Sequence, residues 1–536
     1  MRSLHPDPNT GRTFFCRVKS VSRAPSGLSH RLVLSGVLAL TGSALFITAY
    51  PPWDHGLVTG WLALVPLIAA VAGAPPMRAG IFGWLFGLAA YLGVFSWLFA
   101  VPGFYWYHFL LLDAYLALYP ALWSILVAQF VDRSVLTQLG LASAWVLMDY
   151  VRAHAGFLAL PWITLAQSQI DNTPLLQVAP LFGEPAVTFL VVLGNLAIWN
   201  LMNGWRIPGA WVCVLPVLGT ITFGAYLPSH SGTVHAPTIK VAALGTDFPA
   251  HASPTPDLKA RLDGRIEFFQ KNLPSGVEIV AWPESALVNP KQFPIQVDNL
   301  QRLVKHKGVT LVAGVAETTK FDHSVKETSP DDQNKLRSGA WLITTDSVVP
   351  QQYEKTLLVP FAETMPLKDW VTWPVWLIPP IPEVIRGPAP RSFPVPGKVR
   401  VGIMICWESL FAEHAKTLVN DGATLLLMLA NEGWFADSAG AQHNLTARMR
   451  AAETQRSVLV SSNMGPPLVI DPFGRVASSR SSNSGMRWAT ATIPLVTDRT
   501  PYTRMGDIFV LGCGLFLLAL GVTGRFRLHK MPDGQR

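Results

Sequence analysis

Stretch 399–411, VRVGIMICWESLF, holds a residue of direct chemical interest. The apolar run 401–405 predicts a buried strand that stops at Cys406, and Trp407-Glu408-Ser409 opens a predicted helix over 408–421. A thiol where a strand meets a helix start is a place for a nucleophile, because the helix N-terminus favours thiolate, the reactive form. The same residue also suits a core, packed as a small hydrophobe. Two other predicted strand ends carry groups that complement a thiol. EIVAWPES ends near Glu284, and YEKTLLVPFAE carries Lys355. A carboxylate can take the thiol proton and later return one to a leaving group. An ammonium can hold the oxyanion formed in acyl transfer. Taken singly, Glu284 and Lys355 read equally well as a solvated ion pair.

The elements that must position these groups lie in 238–500, a region of ordinary globular composition. Apolar, β-branched runs recur at 239–244, 277–282, 309–315, 340–345, 401–405, 424–429, 458–461 and 468–470. Predicted helices at 257–273, 294–307, 408–421 and 441–455 separate several of them, which argues for a layered α/β domain. No internal repeat and no glycine-rich phosphate loop is present.

The remainder is of another kind. Only 14% of the 536 residues are charged, against about 25% in an average soluble protein, and the deficit is concentrated in 32–227. Seven apolar segments follow one another near 32–49, 57–74, 80–100, 106–130, 135–151, 180–202 and 208–227, with an eighth at 507–524. Each approaches the roughly 20 residues that span a bilayer. Arg78, Arg133 and Arg206 fall in the loops after the second, fourth and sixth segments, whereas the loops after the first and third carry no Lys or Arg. Such alternation places the basic tail 1–31 and the basic tail 525–536 in the cytoplasm and region 238–500 outside it. Arg152, in the loop after the fifth segment, breaks the alternation. That loop, with Gly156-Phe157 and Pro161-Trp162, reads as dipping back toward the bilayer. A signal peptide is rejected, because further apolar spans follow the first at once. The net charge of +8 is spread over the ends and short loops, which suits a membrane protein and not a nucleic-acid binder. Cys16, Cys213, Cys406 and Cys513 are far apart, and no Cys/His spacing supports a disulfide framework, a metal site or a cofactor.

The flanking motifs narrow the reading. WPES, EKTLLVPFAE and Cys406-Trp407-Glu408, in this order over about 238–500, resemble the nitrilase superfamily. That resemblance implies an α-β-β-α sandwich with a Glu284–Lys355–Cys406 triad. With the surrounding spans it resembles, more narrowly, the bacterial apolipoprotein N-acyltransferases, in which seven helices precede the nitrilase-like domain and one follows. The match extends to Pro360-Phe361, Glu363, Asn431 with Trp434-Phe435, Arg450 with Glu453, and the segment 502–507. The implied architecture is a polytopic membrane domain of about eight helices (32–227 and 507–524) plus the sandwich (238–500). The implied reaction is ping-pong. Cys406 would take an acyl chain from a membrane phospholipid as a thioester, then pass it to the N-terminal amine of a diacylated apolipoprotein. Glu284 would be the base and Lys355 the oxyanion partner, with Glu363, Glu408, Trp407, Asn431 and Trp434 in supporting places. The implied location is the bacterial inner membrane, with the sandwich in the periplasm and a monomer sufficing. The sequence departs from the family pattern at Thr246-Asp247, Ala362, Trp407, Glu432-Gly433 and Met464.

Between Lys355 and Cys406, WVTWPVWLIPPIPEVI (370–385) carries three Trp in a Pro-rich loop. Trp favours membrane interfaces, so this loop reads either as a lid touching the bilayer or as a loop packed on its own domain. Two rival functions remain at this level. One is a membrane-tethered amidase that delivers the acyl group to water. The other is a divergent, conjugation-associated or non-enzymatic relative. The number of spans opposes the first, and the intact Glu-Lys-Cys set opposes an inactive protein.

Overall fold

A computed structural model describes residues 28–131, 134–204, 211–230, 236–248, 258–318, 335–346, 349–435, 437–480 and 485–524. The expected basic tails lie almost wholly outside these residues, as do Arg133 and Arg206. The N-terminal half is helical: α1 (Leu28–Thr48), α2 (Gly56–Thr59), α3 (Val65–Val71), α4 (Pro76–Val94), α5 (Trp106–Leu116), α6 (Leu118–Phe130), α7 (Val135–Ala153), α8 (Thr173–Leu176), α9 (Ala179–Phe182), α10 (Glu184–Met202) and α11 (Trp211–His230). Among the described residues four stretches are long and apolar enough to cross a membrane: His30–Thr48, Pro76–Val94, Trp106–Phe130 and Glu184–Met202. Ile508–Val522 and Val214–Tyr226 are apolar but shorter.

The segment 57–74, expected as one span, is instead broken into α2 and α3. At seven residues α3 is about 10 Å long and cannot cross a bilayer alone. Its break survives because backbone groups opened by it are satisfied from α10. Asn195 Nδ2 donates to the Gly60 carbonyl at 3.0 Å, and Leu64 N donates to Asn195 Oδ1 at 2.9 Å. A reciprocal amide pair, Gln138 with Asn200 at 2.8 and 2.6 Å, ties α7 to α10.

Arg152, the residue that broke the charge alternation, is 1% exposed. Its guanidinium donates to the Trp162 carbonyl (2.7 Å), the Ile163 carbonyl (3.2 Å) and Asp149 Oδ1 (3.2 Å). It is an internal ligand for the irregular segment after α7, in which Trp162, Ile163, Leu165 and Ala166 are buried.

The C-terminal half is the α-β-β-α sandwich. Its strands are β1 (Thr238–Thr246), β2 (Ile279–Val288), β3 (Thr310–Thr318), β4 (Leu336–Ile343), β5 (Gln351–Glu354), β6 (Ser392–Val395), β7 (Val399–Ile405), β8 (Leu425–Asn431), β9 (Ser457–Asn463), β10 (Leu468–Ile470), β11 (Ser479–Arg480) and β12 (Arg487–Pro494). They pair in the order β5-β4-β3-β2-β1-β9-β8-β7-β6, with β12 on β1. Side-chain alternation builds the layers. Val241, Ala243, Ile403, Leu425 and Leu427 point into one core between the strand layers. Their neighbours Ala242 and Leu244 pack with residues of α12 (Leu258–Asn272) and α13 (Pro294–Lys307). Met404, Leu426 and Met428 pack with residues of α14 (Ala412–Asn420) and α15 (Asp437–Thr454). Helices α16 (Pro501–Met505) and α17 (Ile508–Val522) then lead back to α7.

The helix expected over 408–421 begins only at Ala412, because Cys406–Leu410 form a tight 3-10 turn. Strands β5, β6, β11 and β12 were not among the expected runs.

Candidate active site

Strands β1, β2, β3, β7, β8 and β9 run parallel, and β5, antiparallel to β4, points the same way. Lys355, Cys406, Asn431 and Asn463 therefore lie at or just past strand ends on one edge, where ligands of parallel sheets bind. Glu284 joins them through an irregularity. The β2–β3 register shifts between Trp282 and Leu287, and Ser285 has φ 56°. Gly314 of β3 makes this possible: a Cβ there would stand 2.3 Å from the Pro283 carbonyl oxygen and 2.5 Å from Glu284 Cα.

The three expected groups come together. Lys355 Nζ, 1% exposed, lies 2.6 Å from Glu363 Oε1 and 3.7 Å from Glu284 Oε1. Cys406 lies close enough to Glu284 and Lys355 for the charge of each to act on its thiol. Burial, partly offset by Lys355, pushes the Glu284 carboxyl up to about 7. The flanking carboxylates hold Lys355 above its ordinary value despite burial, so it remains a cation. Burial and the Glu284 charge push the Cys406 thiol well up. The expected helix-stabilised thiolate is thus not the resting state: five residues of 3-10 turn provide little dipole, and the surroundings are anionic. A thiol that yields its proton to Glu284 as it attacks fits this arrangement.

Cys406 sits at φ 48°, in the left-handed region costly for a side chain with Cβ. Glu408, fully buried, holds that elbow from one side. Its carboxylate accepts from Ile405 N (2.7 Å), Thr356 N (2.6 Å), Thr356 Oγ1 (2.9 Å), Leu357 N (3.1 Å) and Tyr353 OH (2.7 Å). It therefore locks the Cys406 elbow to the Lys355 loop. Glu363 accepts from Lys355 and from Val359 N at 2.8 Å. Asn431 Oδ1 accepts from Asn463 Nδ2 at 2.8 Å, and Asn463 in turn binds Thr246 and Phe248. Trp407 turns away from the sheet and packs with Phe411 and Phe435 against the membrane-domain core. Trp434 is 46% exposed. Sequence reasoning missed Tyr353, Thr356, Glu432 and His443; only Glu432 carried a signal, as an unusual neighbour of Asn431.

The site lies on a joint between the halves. One apolar cluster runs from α1–α10 into Leu410, Ala439, Leu445, Met449 and Ala452 of the sandwich. Arg450 pairs with Glu184 at the start of α10 (2.5 Å) and with Glu453 (3.0 Å), and Glu453 accepts from Glu184 N (2.8 Å). In the loop 370–385, Trp373 packs on Phe361 and donates to the Pro366 carbonyl at 2.7 Å. Trp370 and Trp376 are 88% and 72% exposed. The Trp376 and Leu377 carbonyls meet Tyr107 and His108 of α5. The loop is thus pinned on the membrane domain with two Trp facing outward.

Residues 42–197 match the apolipoprotein N-acyltransferase N-terminal domain, and residues 240–499 match carbon-nitrogen hydrolase. The chain is similar to apolipoprotein N-acyltransferases of Geobacter metallireducens (27% identical, 84% of this chain and 88% of that one) and Methylococcus capsulatus (28%, 91% and 95%). It is also similar to a solved structure, Saccharomyces cerevisiae Nit3 of the nitrilase superfamily (18% identical, TM-score 0.36, 54% of this chain and 97% of that one). With both domains matched in order and relatives aligned over most of its length, the chain is an enzyme with the two-domain organisation of the apolipoprotein N-acyltransferases, its C-terminal half a carbon-nitrogen hydrolase domain.

Proposed function

We propose that this enzyme N-acylates lipoproteins, moving an acyl chain from a membrane phospholipid to the free α-amine of an S-diacylglyceryl-cysteine. The observation that carries the reading is a Glu284–Lys355–Cys406 set at strand ends, beside a core shared with membrane-domain helices. Glu284 takes the thiol proton as Cys406 Sγ attacks the ester carbonyl. Lys355, still charged, faces the oxyanion. The tetrahedral adduct collapses by breaking the ester C–O bond, and Glu284 returns the proton to the lysophospholipid oxygen. The acceptor amine then attacks the thioester, Glu284 takes one amine proton, and Cys406 leaves as the thiol when that proton is returned. No cofactor takes part.

In this reading 32–227 and 507–524 form the membrane unit, and 238–500 stands on the periplasmic face of the inner membrane. That orientation follows from loop charges, of which Arg78 is described and Arg133, Arg206 and the C-terminal basic residues are not. Glu363 holds Lys355, Glu408 holds the elbow, Trp407 anchors it on the membrane domain, and Asn431 and Trp434 stand at and just past the end of β8. A monomer carries every group the mechanism uses.

The test is to incubate purified protein with acyl-labelled phospholipid and seek a hydroxylamine-sensitive label on Cys406. A diacylated lipopeptide with a free N-terminal amine is then added. Label moving to the lipopeptide as an amide is the expected result. A label released only to water would make the enzyme a hydrolase. No label on Cys406 would overturn the thioester mechanism.

A further inference from the structure

A second hydrogen-bonded set, separate from that of Glu408, grips the nucleophile elbow, and the triad chemistry does not use it. The Cys406 carbonyl oxygen accepts from Ser409 Oγ at 3.0 Å and lies 3.0 Å from His443 Nε2. A carbonyl only accepts, so Nε2 carries a proton there. His443 Nδ1 lies 2.8 Å from Glu432 Oε1. His443 is 1% and Glu432 4% exposed. Both come from the sandwich, Glu432 just after β8 and His443 within α15.

The imidazole is itself braced from the membrane half. Its ring lies 5.2 Å from that of Trp162, on the segment held by Arg152. Its neighbour Gln442 accepts from Trp97 Nε1 at 3.0 Å and donates to the Pro51 and Val94 carbonyls at 3.2 and 2.9 Å. Three membrane-domain segments thus fix the start of α15.

We propose that His443, backed by Glu432, is a positioning residue that holds the Cys406 carbonyl and so aims the thiol at Glu284 and Lys355. The inference rests on Cys406 as the nucleophile. The elbow's left-handed backbone persists only where its surroundings enforce it. Glu408 fixes the residue before Cys406, through Ile405 N, and His443 with Ser409 fixes the Cys406 carbonyl itself. Without the imidazole the carbonyl can swing, φ can relax, and Cβ–Sγ moves off Glu284. The Glu432 charge also reaches the thiol and Glu284, where it favours the protonated forms.

The test compares full-length wild type with His443→Ala, His443→Gln and Glu432→Gln in detergent micelles. Two readouts are taken on each: the pH profile of Cys406 alkylation by iodoacetamide, followed on its own peptide, and kcat and KM for acyl transfer from labelled phospholipid. His443→Ala is expected to lower kcat about 10- to 100-fold, the scale of a small misplacement of reacting atoms, with KM little changed and the alkylation profile displaced. His443→Gln, which still offers an N–H, is expected to recover much of the loss, and Glu432→Gln to fall between. A His443→Ala protein with the wild-type alkylation profile and kcat within twofold would overturn the proposal. So would a loss explained wholly by unfolding that His443→Gln does not relieve. If wild type forms no thioester while Cys406 alkylation still follows His443, the acyl-transfer reading fails and this one stands.

Discussion

Replacing Glu408 by Ala should be among the most damaging single changes in the sandwich, although Glu408 touches no substrate in the mechanism. Its carboxylate accepts from five donors, three of them backbone N–H groups of Thr356, Leu357 and Ile405. Hydroxyls of Tyr353 and Thr356 can turn to other partners, but the three amides are fixed. Each buried amide left without an acceptor costs about 1–3 kcal/mol. Their sum, about 3–9 kcal/mol, is comparable with the whole stability of a domain. At roughly 2–4 °C per kcal/mol, melting of the purified protein should fall by about 6 °C or more. Glu408→Gln keeps one acceptor oxygen and the same volume, so it should lose about half as much. The assay pairs thermal melting in micelles with the rate of thioester formation at a temperature where the variants remain folded. That rate should drop too, because Glu408 joins the Lys355 loop to the Cys406 elbow. An Ala variant melting within about 2 °C of wild type and forming thioester at the wild-type rate would refute the clamp.

Thioester formation should rise with pH through about 7 as Glu284 becomes a carboxylate, read in single-turnover experiments; a flat profile from about pH 5.5 to 8 would remove Glu284 as the base. The same raised pKa means that the folded state binds this proton more tightly than the unfolded chain. Stability from this site is therefore full below the ordinary 4.5 and is lost as pH climbs through about 7; Glu284→Gln should abolish that dependence in melting curves. Lys355→Met should cut acyl transfer by about 10²–10³-fold, the cost of losing an oxyanion donor, in a protein that still folds. Arg450→Met should destabilise by about 3–5 kcal/mol by leaving the buried Glu453 and the partly buried Glu184 without their cation, seen as lower melting and recovery. Trp370→Ala with Trp376→Ala should leave melting unchanged but slow acyl transfer from vesicles, whereas Trp373→Ala should lower melting; unchanged transfer in the double variant would end the lid reading.

Cys406 and Glu284 were legible because they stand beside strongly patterned strands, β7 and β2, whereas Lys355 was carried by the motif around it and by the motif order. Strands β5 and β6 were not, since Gln351-Gln352 and Pro394 lack a strand pattern and are held by pairing to β4 and β7. The break between α2 and α3 was hidden because Asn195, far along the chain, satisfies it. Glu408 looked like a helix-start carboxylate, yet its partners lie some fifty residues away and are mostly backbone groups without a side-chain signature. His443 was invisible for the same reason: its ligand is a carbonyl. Arg152 counted as an anomaly in the charge alternation until the carbonyls of Trp162 and Ile163 accounted for it.

The Arg450–Glu184–Glu453 joint and the apolar cluster beneath it bear on how such an enzyme can be divided or recombined. A sandwich excised from its helices would shed more than an anchor. It would bare Trp407, Phe411 and Phe435 to water, leave Arg450 without Glu184, and release the start of α15 from Trp97 and Trp162. The membrane half would keep a carboxylate at the head of α10 with no guanidinium to meet it. The two halves are therefore not interchangeable parts. A sandwich grafted onto foreign helices would need a carboxylate where Glu184 stands and aromatic partners where Trp97 and Trp162 stand before its cysteine could be expected to react.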